Sequence, residues 1–158
     1  MKTQDFTLTF TVDQSPEEVY NAINDVRGWW SDDFKGDSQK QGDEFEVRFE
    51  ELHYSRHKVT ELVPGKKVEW LVTDSELSFL QHKTEWTGTR NIFEIGKEDN
   101  KTQVHFTHAG LTPTIECYGA CSGGWNYFLL QSLLPFIATG QGKPNLPKEG
   151  IPQEAVNA

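Results

Sequence analysis

The chain has 158 residues, 12% of them aromatic, with five Trp and ten Phe, and carries a formal net charge of −9. That length is one domain by default and buries roughly 70% of its unfolded surface, with ample aromatic material for a core. The acidic balance excludes a phosphate-backbone binder, which needs a basic patch for counterion release; here the nearest thing to a cluster is Lys66-Lys67 beside a turn.

The N-terminus, Lys2 and then alternation from Asp5, lacks the layout of a signal peptide. Phe6, Leu8, Phe10 and Val12 alternate with Thr7, Thr9 and Thr11, which predicts a strand with one buried and one wet face. Ser15-Pro16-Glu17-Glu18 reads as a helix start, with Ser15 as N-cap, Pro16 at the first helical position and Glu18 completing a capping box. That helix carries Val19, Ala22, Ile23 and Val26 on one side and stops near Gly28. Of the adjacent Trp29 and Trp30, one is expected to pack while the other sits near an opening. Residues 31–42 read as a loop or short helical turn.

Further strands follow. Phe45, Val47 and Phe49 face inward from one; His53 to Val63 form the next, where an inward Val59 also turns His57 and Ser55 inward or implies a bulge. After the Pro64-Gly65-Lys66 turn, Val68, Trp70 and Val72 point inward. Residues 74–88 form a polar link holding Leu77, Phe79, Leu80 and Trp86. Strands over about 89–97 and 102–109 bring Phe93 and Ile95, then Val104, Phe106 and His108, to one face. The last helix carries Trp125, Phe128, Leu129, Leu133, Phe136 and Ile137 along one stripe, capped by Thr112 or Thr114 and kinked near its end by Pro135. Gly119, Gly123 and Gly124 in its first turns imply close backbone approach or local mobility. Thr139-Gly140 stops it, and residues 145–158 form an irregular tail after a single domain over 1–144. No apolar run approaches the ~20 residues of a membrane span.

These motifs stand in a recognisable order. Ser15-Pro16-Glu17-Glu18-Val19-Tyr20 leads to Trp29-Trp30, then Glu85-Trp86-x-Gly88-Thr89, Phe106-Thr107-His108-x-Gly110-Leu111, Glu116-Cys117-Tyr118-x-x-Cys121-x-x-Gly124-Trp125 and Thr139-Gly140-x-Gly142-x-Pro144. Together they resemble the single-domain bacterial members of the group named for activators of the heat-shock protein 90 ATPase, within the START-like or SRPBCC superfamily. The resemblance implies an α+β helix-grip fold: a curved antiparallel sheet wrapped around a long C-terminal helix, with an apolar cavity between. It also implies a small hydrophobic or amphipathic ligand. The group's name comes from larger proteins with a further domain and is not carried over as a function.

The ligand-binding candidates are Trp30, Phe45, Val47, His57, Trp70, Phe93, Phe106, His108, Trp125, Phe128 and Leu129. Aromatic walls suit apolar molecules, and His57 and His108 are the groups to orient a polar end. The plainer reading is core packing, with His108 tied to backbone at the entry of the last helix. Cys117 and Cys121 point the same way from one helix, so a mutual disulfide is poorly directed and a reducing, cytoplasmic setting is expected. With His108 they offer three zinc ligands and no fourth, and small apolar fillers is the simpler role. No metal, cofactor, nucleic-acid partner or catalytic residue is assigned. Two rival functions stand beside ligand binding: a cyclase- or hydratase-type enzyme using a pocket His, and an interaction or chaperone-linked module dimerising through Leu71 and Ile92 on the outer sheet face.

Overall fold

The computed structural model describes residues 4–145. The chain runs β1 (Phe6–Val12), α1 (Pro16–Asn24), α2 (Val26–Trp29), β2 (Phe34–Gly36), β3 (Glu44–Phe49), β4 (His53–Val63), β5 (Lys67–Leu77), β6 (Arg90–Glu98), β7 (Lys101–Ala109), α3 (Tyr118–Phe128), a π-helical turn (Leu129–Leu133) and α4 (Leu134–Thr139). The seven strands form one sheet in the order β1-β7-β6-β5-β4-β3-β2, antiparallel at every pairing. This is the expected α+β helix-grip architecture: a curved sheet with the C-terminal helical region against it.

Alternation along the strands produces the concave face. Phe45, Val47 and Phe49 of β3, Val68, Trp70 and Val72 of β5, and Val104, Phe106 and His108 of β7 are all buried, because successive strand side chains point to opposite faces. Ser55, His57 and Val59 of β4 face inward together at 0% exposure. The register also shifts between Arg56 and His57 and between Val59 and Glu61, so β4 both presents polar groups and carries irregularities.

Several local expectations need correcting. The stretch 31–42 is not wholly loop: Phe34–Gly36 adds a short edge strand on β3, its Phe34 ring stacked on Phe45 at 5.3 Å. The first helix breaks at Asp25, whose φ −90°, ψ 71° is not helical. The chain therefore turns before Trp29 and Trp30, and both are buried, at 0% and 2%. Only in one regular element would adjacent side chains have to diverge. Neither Thr112 nor Thr114 caps the last helix: their hydroxyls bond each other, and Cys117 holds the cap position. Glu85 instead accepts hydrogen bonds from the Glu116 and Cys117 amides at 2.9 and 3.1 Å. Ahead of Pro135 the helix widens, with the Leu134 amide bonding the Leu129 carbonyl, which accommodates the ring that would otherwise clash with the preceding turn.

A close approach ties this helix to the start of the fold. A Cβ on Gly28 would lie 2.4–2.9 Å from the Phe136 ring. Ser132 Oγ, in the π-helical turn, donates to the Trp29 carbonyl at 2.6 Å and accepts from the Lys143 amide at 2.7 Å. The Asn145 amide donates to the Trp30 carbonyl at 2.8 Å. The paired Trp residues are thus clamped from behind, their rings aimed at the sheet. The remainder of the expected tail lies outside the described residues.

Candidate functional site

One row of side chains crosses the concave face. Val59 is opposite Trp70, Trp70 opposite Asn91 and Asn91 opposite His108, all at 0% exposure. The neighbouring row places Val68 opposite Phe93 and Phe93 opposite Phe106. Rings then bridge from sheet to helix. Trp125 of α3 meets Phe106 at 4.5 Å and Trp30 at 5.1 Å between centroids. Trp30 in turn meets His57 at 5.2 Å and stacks on Trp70 at 6.0 Å, while Phe128 meets Phe49 at 5.3 Å. Such pairs contribute about 0.5–1.5 kcal/mol each beyond area burial. Sheet and helix touch through these rings.

Two polar clusters are set into that aromatic surface. In the first, Trp125 Nε1 donates to His108 Nδ1 at 3.0 Å. His108 is therefore the neutral Nε2–H tautomer, and it donates to Thr89 Oγ1 at 2.8 Å. Thr89 passes its own proton to the Trp86 carbonyl at 2.6 Å. Both ring nitrogens are satisfied, and burial lowers the His108 pKa to about 3. Gly110 completes this corner: its φ of +105° is left-handed, and a Cβ there would lie 2.6 Å from the Thr89 methyl.

The second cluster is open. Asn91 Nδ2 approaches His57 Nδ1 at 3.5 Å, a long, weak bond. His57 Nε2 is 2.8 Å from Ser55 Oγ, which is 2.8 Å from His53 Nε2. With Nδ1 accepting, the chain runs His57 Nε2–H to Ser55, then Ser55 O–H to His53, which is only partly buried. Burial, reinforced by His53 and His108, pushes the His57 pKa well below its ordinary value. Trp70 Nε1 and Asn91 Oδ1 are buried without a hydrogen-bond partner.

A third set lies where α3 begins. Trp86 stacks on Trp125 at 6.0 Å and donates to Cys117 Sγ and Cys121 Sγ at 3.4 and 3.3 Å. Its neighbour Cys121 lowers the Cys117 pKa, and the same contact raises that of Cys121. Glu116 accepts from the Gln81 and His82 amides at 2.9–3.0 Å, which lowers its pKa. Glu85 and Glu116 thereby lock the link before β6 onto the start of α3. Among the described residues no group of three or more His, Cys, Asp or Glu is placed to hold a metal.

Every expected binding residue is buried and faces this interior: Trp30, Phe45, Val47, His57, Trp70, Phe93, Phe106, His108, Trp125, Phe128 and Leu129 range from 0 to 3% exposed. Sequence reasoning missed Asn91, Ser55's role as a relay, Thr89 and Trp86. Asn91 was in reach, lying two residues before Phe93 on the same strand face. Trp86 had only its size against a polar surrounding. On the outer face Leu71 and Ile92 are partly buried; among the described residues the large apolar side chains that stand exposed are Leu52, Phe79 and Leu130, at 43, 49 and 38%.

Residues 13–134 match the family model described as Activator of Hsp90 ATPase homolog 1-like protein. The chain belongs to that family. Its fold is similar to the solution structure of the Aha1 dimer from Colwellia psychrerythraea, at 27% identity and a TM-score of 0.71, covering 88% of this chain and 99% of that one. It also resembles CalU16 from Micromonospora echinospora, at 15% identity, TM-score 0.62 and coverage of 87% and 77%. DynU16, from the dynemicin biosynthetic locus, is similar at 14% identity, TM-score 0.62 and coverage of 86% and 48%. Among curated proteins none matches this Hsp90 ATPase activator homologue-like chain in sequence. No helix among its described residues is long and apolar enough to cross a membrane.

Proposed function

We infer that this member of the family binds a small hydrophobic or amphipathic molecule between the curved sheet and the C-terminal helix. The observation that carries the reading is a continuous aromatic surface, Trp30, Trp70, Phe93, Phe106 and Trp125, with polar groups set into it. A guest takes the place of ring–ring contacts, so its entry requires Trp30 or Trp125 to shift. Exchanging one aromatic contact for another is nearly neutral. Affinity then comes from the guest's own buried apolar area, at roughly 25 cal/mol per Å² before entropy costs. A cytoplasmic setting belongs to the same proposal.

Binding is favoured over a cyclase- or hydratase-type reaction. A His108 with a pKa of about 3 and both nitrogens engaged is a poor general base near neutral pH, where the useful pKa lies close to the working pH. The decisive measurement is native mass spectrometry of freshly purified protein, paired with titration of an apolar fluorescent probe. A co-purifying small molecule, or probe binding altered in either direction by Trp125→Ala or Phe106→Ala, is the expected result; probe binding indifferent to both changes removes the assignment.

A second reading has its own support. The Colwellia relative is a dimer, and Leu52, Phe79 and Leu130 are exposed here. The Ser78 amide bonds the Leu52 carbonyl at 3.0 Å, which brings Leu52 and Phe79 to one region. A homodimer through that region predicts concentration-dependent sedimentation that Phe79→Ser abolishes.

A further inference from the structure

The two orphaned polar atoms say more about the guest than the aromatic walls do. Trp70 and Asn91 are directly opposed on β5 and β6, and both side chains lie on the concave face at 0% exposure. The Asn91 amide reaches from β6 toward His57 on β4, so it crosses the intervening strand, β5, where Trp70 sits. The unpaired Trp70 Nε1 and Asn91 Oδ1 therefore belong to two facing residues of one interior region. Nε1–H is donor only and Oδ1 is acceptor only. Leaving such atoms buried and unmatched is costly, and native proteins rarely do so without reason. The third unpaired buried side-chain atom found among the described residues, Asn24 Oδ1, belongs to the end of α1 and not to this row.

We propose that Trp70 Nε1 and Asn91 Oδ1 form a two-point site for a neutral hydroxyl group, alcohol or phenol, on an otherwise apolar ligand. A hydroxyl is the smallest group whose single oxygen accepts from Trp70 while its proton is donated to Asn91. A carboxylate or ammonium is disfavoured, because a buried charge needs a countercharge. The titratable groups facing this region are His57 on β4, His108 on β7 and His53 at the end of the relay. Burial holds all three toward the neutral form. A methyl ether keeps the acceptor but has no proton for Asn91, so it makes half the contact. The proposal rests on the ligand-binding reading above, and its test separates the two.

The full chain is titrated calorimetrically with 2-naphthol, 2-methoxynaphthalene and 2-naphthoate. Expected is at least about tenfold tighter binding of 2-naphthol than of the ether, the scale of one lost hydrogen bond, with the carboxylate weakest. The preference disappears in Asn91→Leu. Should that variant fail to fold, the Trp70 indole N–H resonance, assigned by its loss in Trp70→Phe, gives the answer in the unaltered protein. It shifts downfield with 2-naphthol and not with naphthalene. Equal binding of naphthol and ether, a preference that survives Asn91→Leu, or a Trp70 resonance indifferent to naphthol because an internal water already bridges the two atoms overturns the hydroxyl site and leaves ligand binding intact. If none of the three compounds binds, the ligand-binding reading falls and the hydroxyl site falls with it.

Discussion

The two polar clusters on the concave face each combine an indole, an imidazole and a hydroxyl, and they are in opposite states. Around His108 every donor meets an acceptor: Trp125 to His108, His108 to Thr89, Thr89 to the Trp86 carbonyl. One and two strands away, Asn91 and Trp70 keep an acceptor and a donor unmatched, although both are as fully buried as His108. A satisfied buried network rigidifies its surroundings, whereas an unsatisfied one costs free energy until something completes it. The His108 cluster reads as scaffold holding Trp125, and the Asn91 cluster as the place where binding energy is left to be gained.

That contrast can be broken most easily from the scaffold side. His108→Ala should cost about 4 kcal/mol in urea unfolding, combining lost ring contacts with Trp86 and Trp125 and the unpaired Trp125 indole. A cost under 1 kcal/mol would mean the network is ornamental. Acid should act in the same direction. Because the folded pKa of His108, about 3, lies below the unfolded value near 6.5, the unfolded chain binds more protons between those limits. Stability is therefore intact above pH 6.5 and falls as pH drops through the window, by about 1.4 kcal/mol per unit from this residue alone. Chemical denaturation at pH 6.5 and 4.5 should differ by about 2 kcal/mol from this group, His57 adding to the loss, and the slope should flatten in His108→Ala.

Smaller effects sharpen the comparison. Glu85→Ala removes the acceptor for the amides at the start of α3 and should cost about 1 kcal/mol, the usual worth of a helix cap. Thermal melting reads it. The smallest change is expected on the open side: Asn91→Leu should leave stability of the ligand-free protein within about 0.5 kcal/mol, since it removes an unsatisfied acceptor along with one long hydrogen bond. A loss above 2 kcal/mol in the same assay would show that the two clusters are not different in kind.

Much of the scaffold was legible from residue order. Period-two alternation in β1, β3, β5 and β7 placed the inward residues, and Ser15 marks the start of α1, its Oγ accepting from the Glu18 amide at 3.2 Å. Other features carried no local signal. Strand β2 is three residues in a polar stretch, held by pairing with β3 and not by its own pattern. Trp86 lies in a link that looks solvated and is buried because His53, His108, Cys117, Cys121 and Trp125 come to it. The partners of His108 come from residues 89 and 125.

The order of apolar and polar residues, by itself, determined a run of half-buried strands, a C-terminal helix and a set of inward aromatic residues, because strand and helix periodicities dictate which side chains are buried. The curved sheet gripping the helix was what the family resemblance implied. Only the tertiary structure decided which of the buried polar groups are paired. Hydrogen bonding depends on the positions of atoms far apart in the chain, and no local pattern specifies that His108 finds Thr89 and Trp125 while Trp70 Nε1 and Asn91 Oδ1 find nothing.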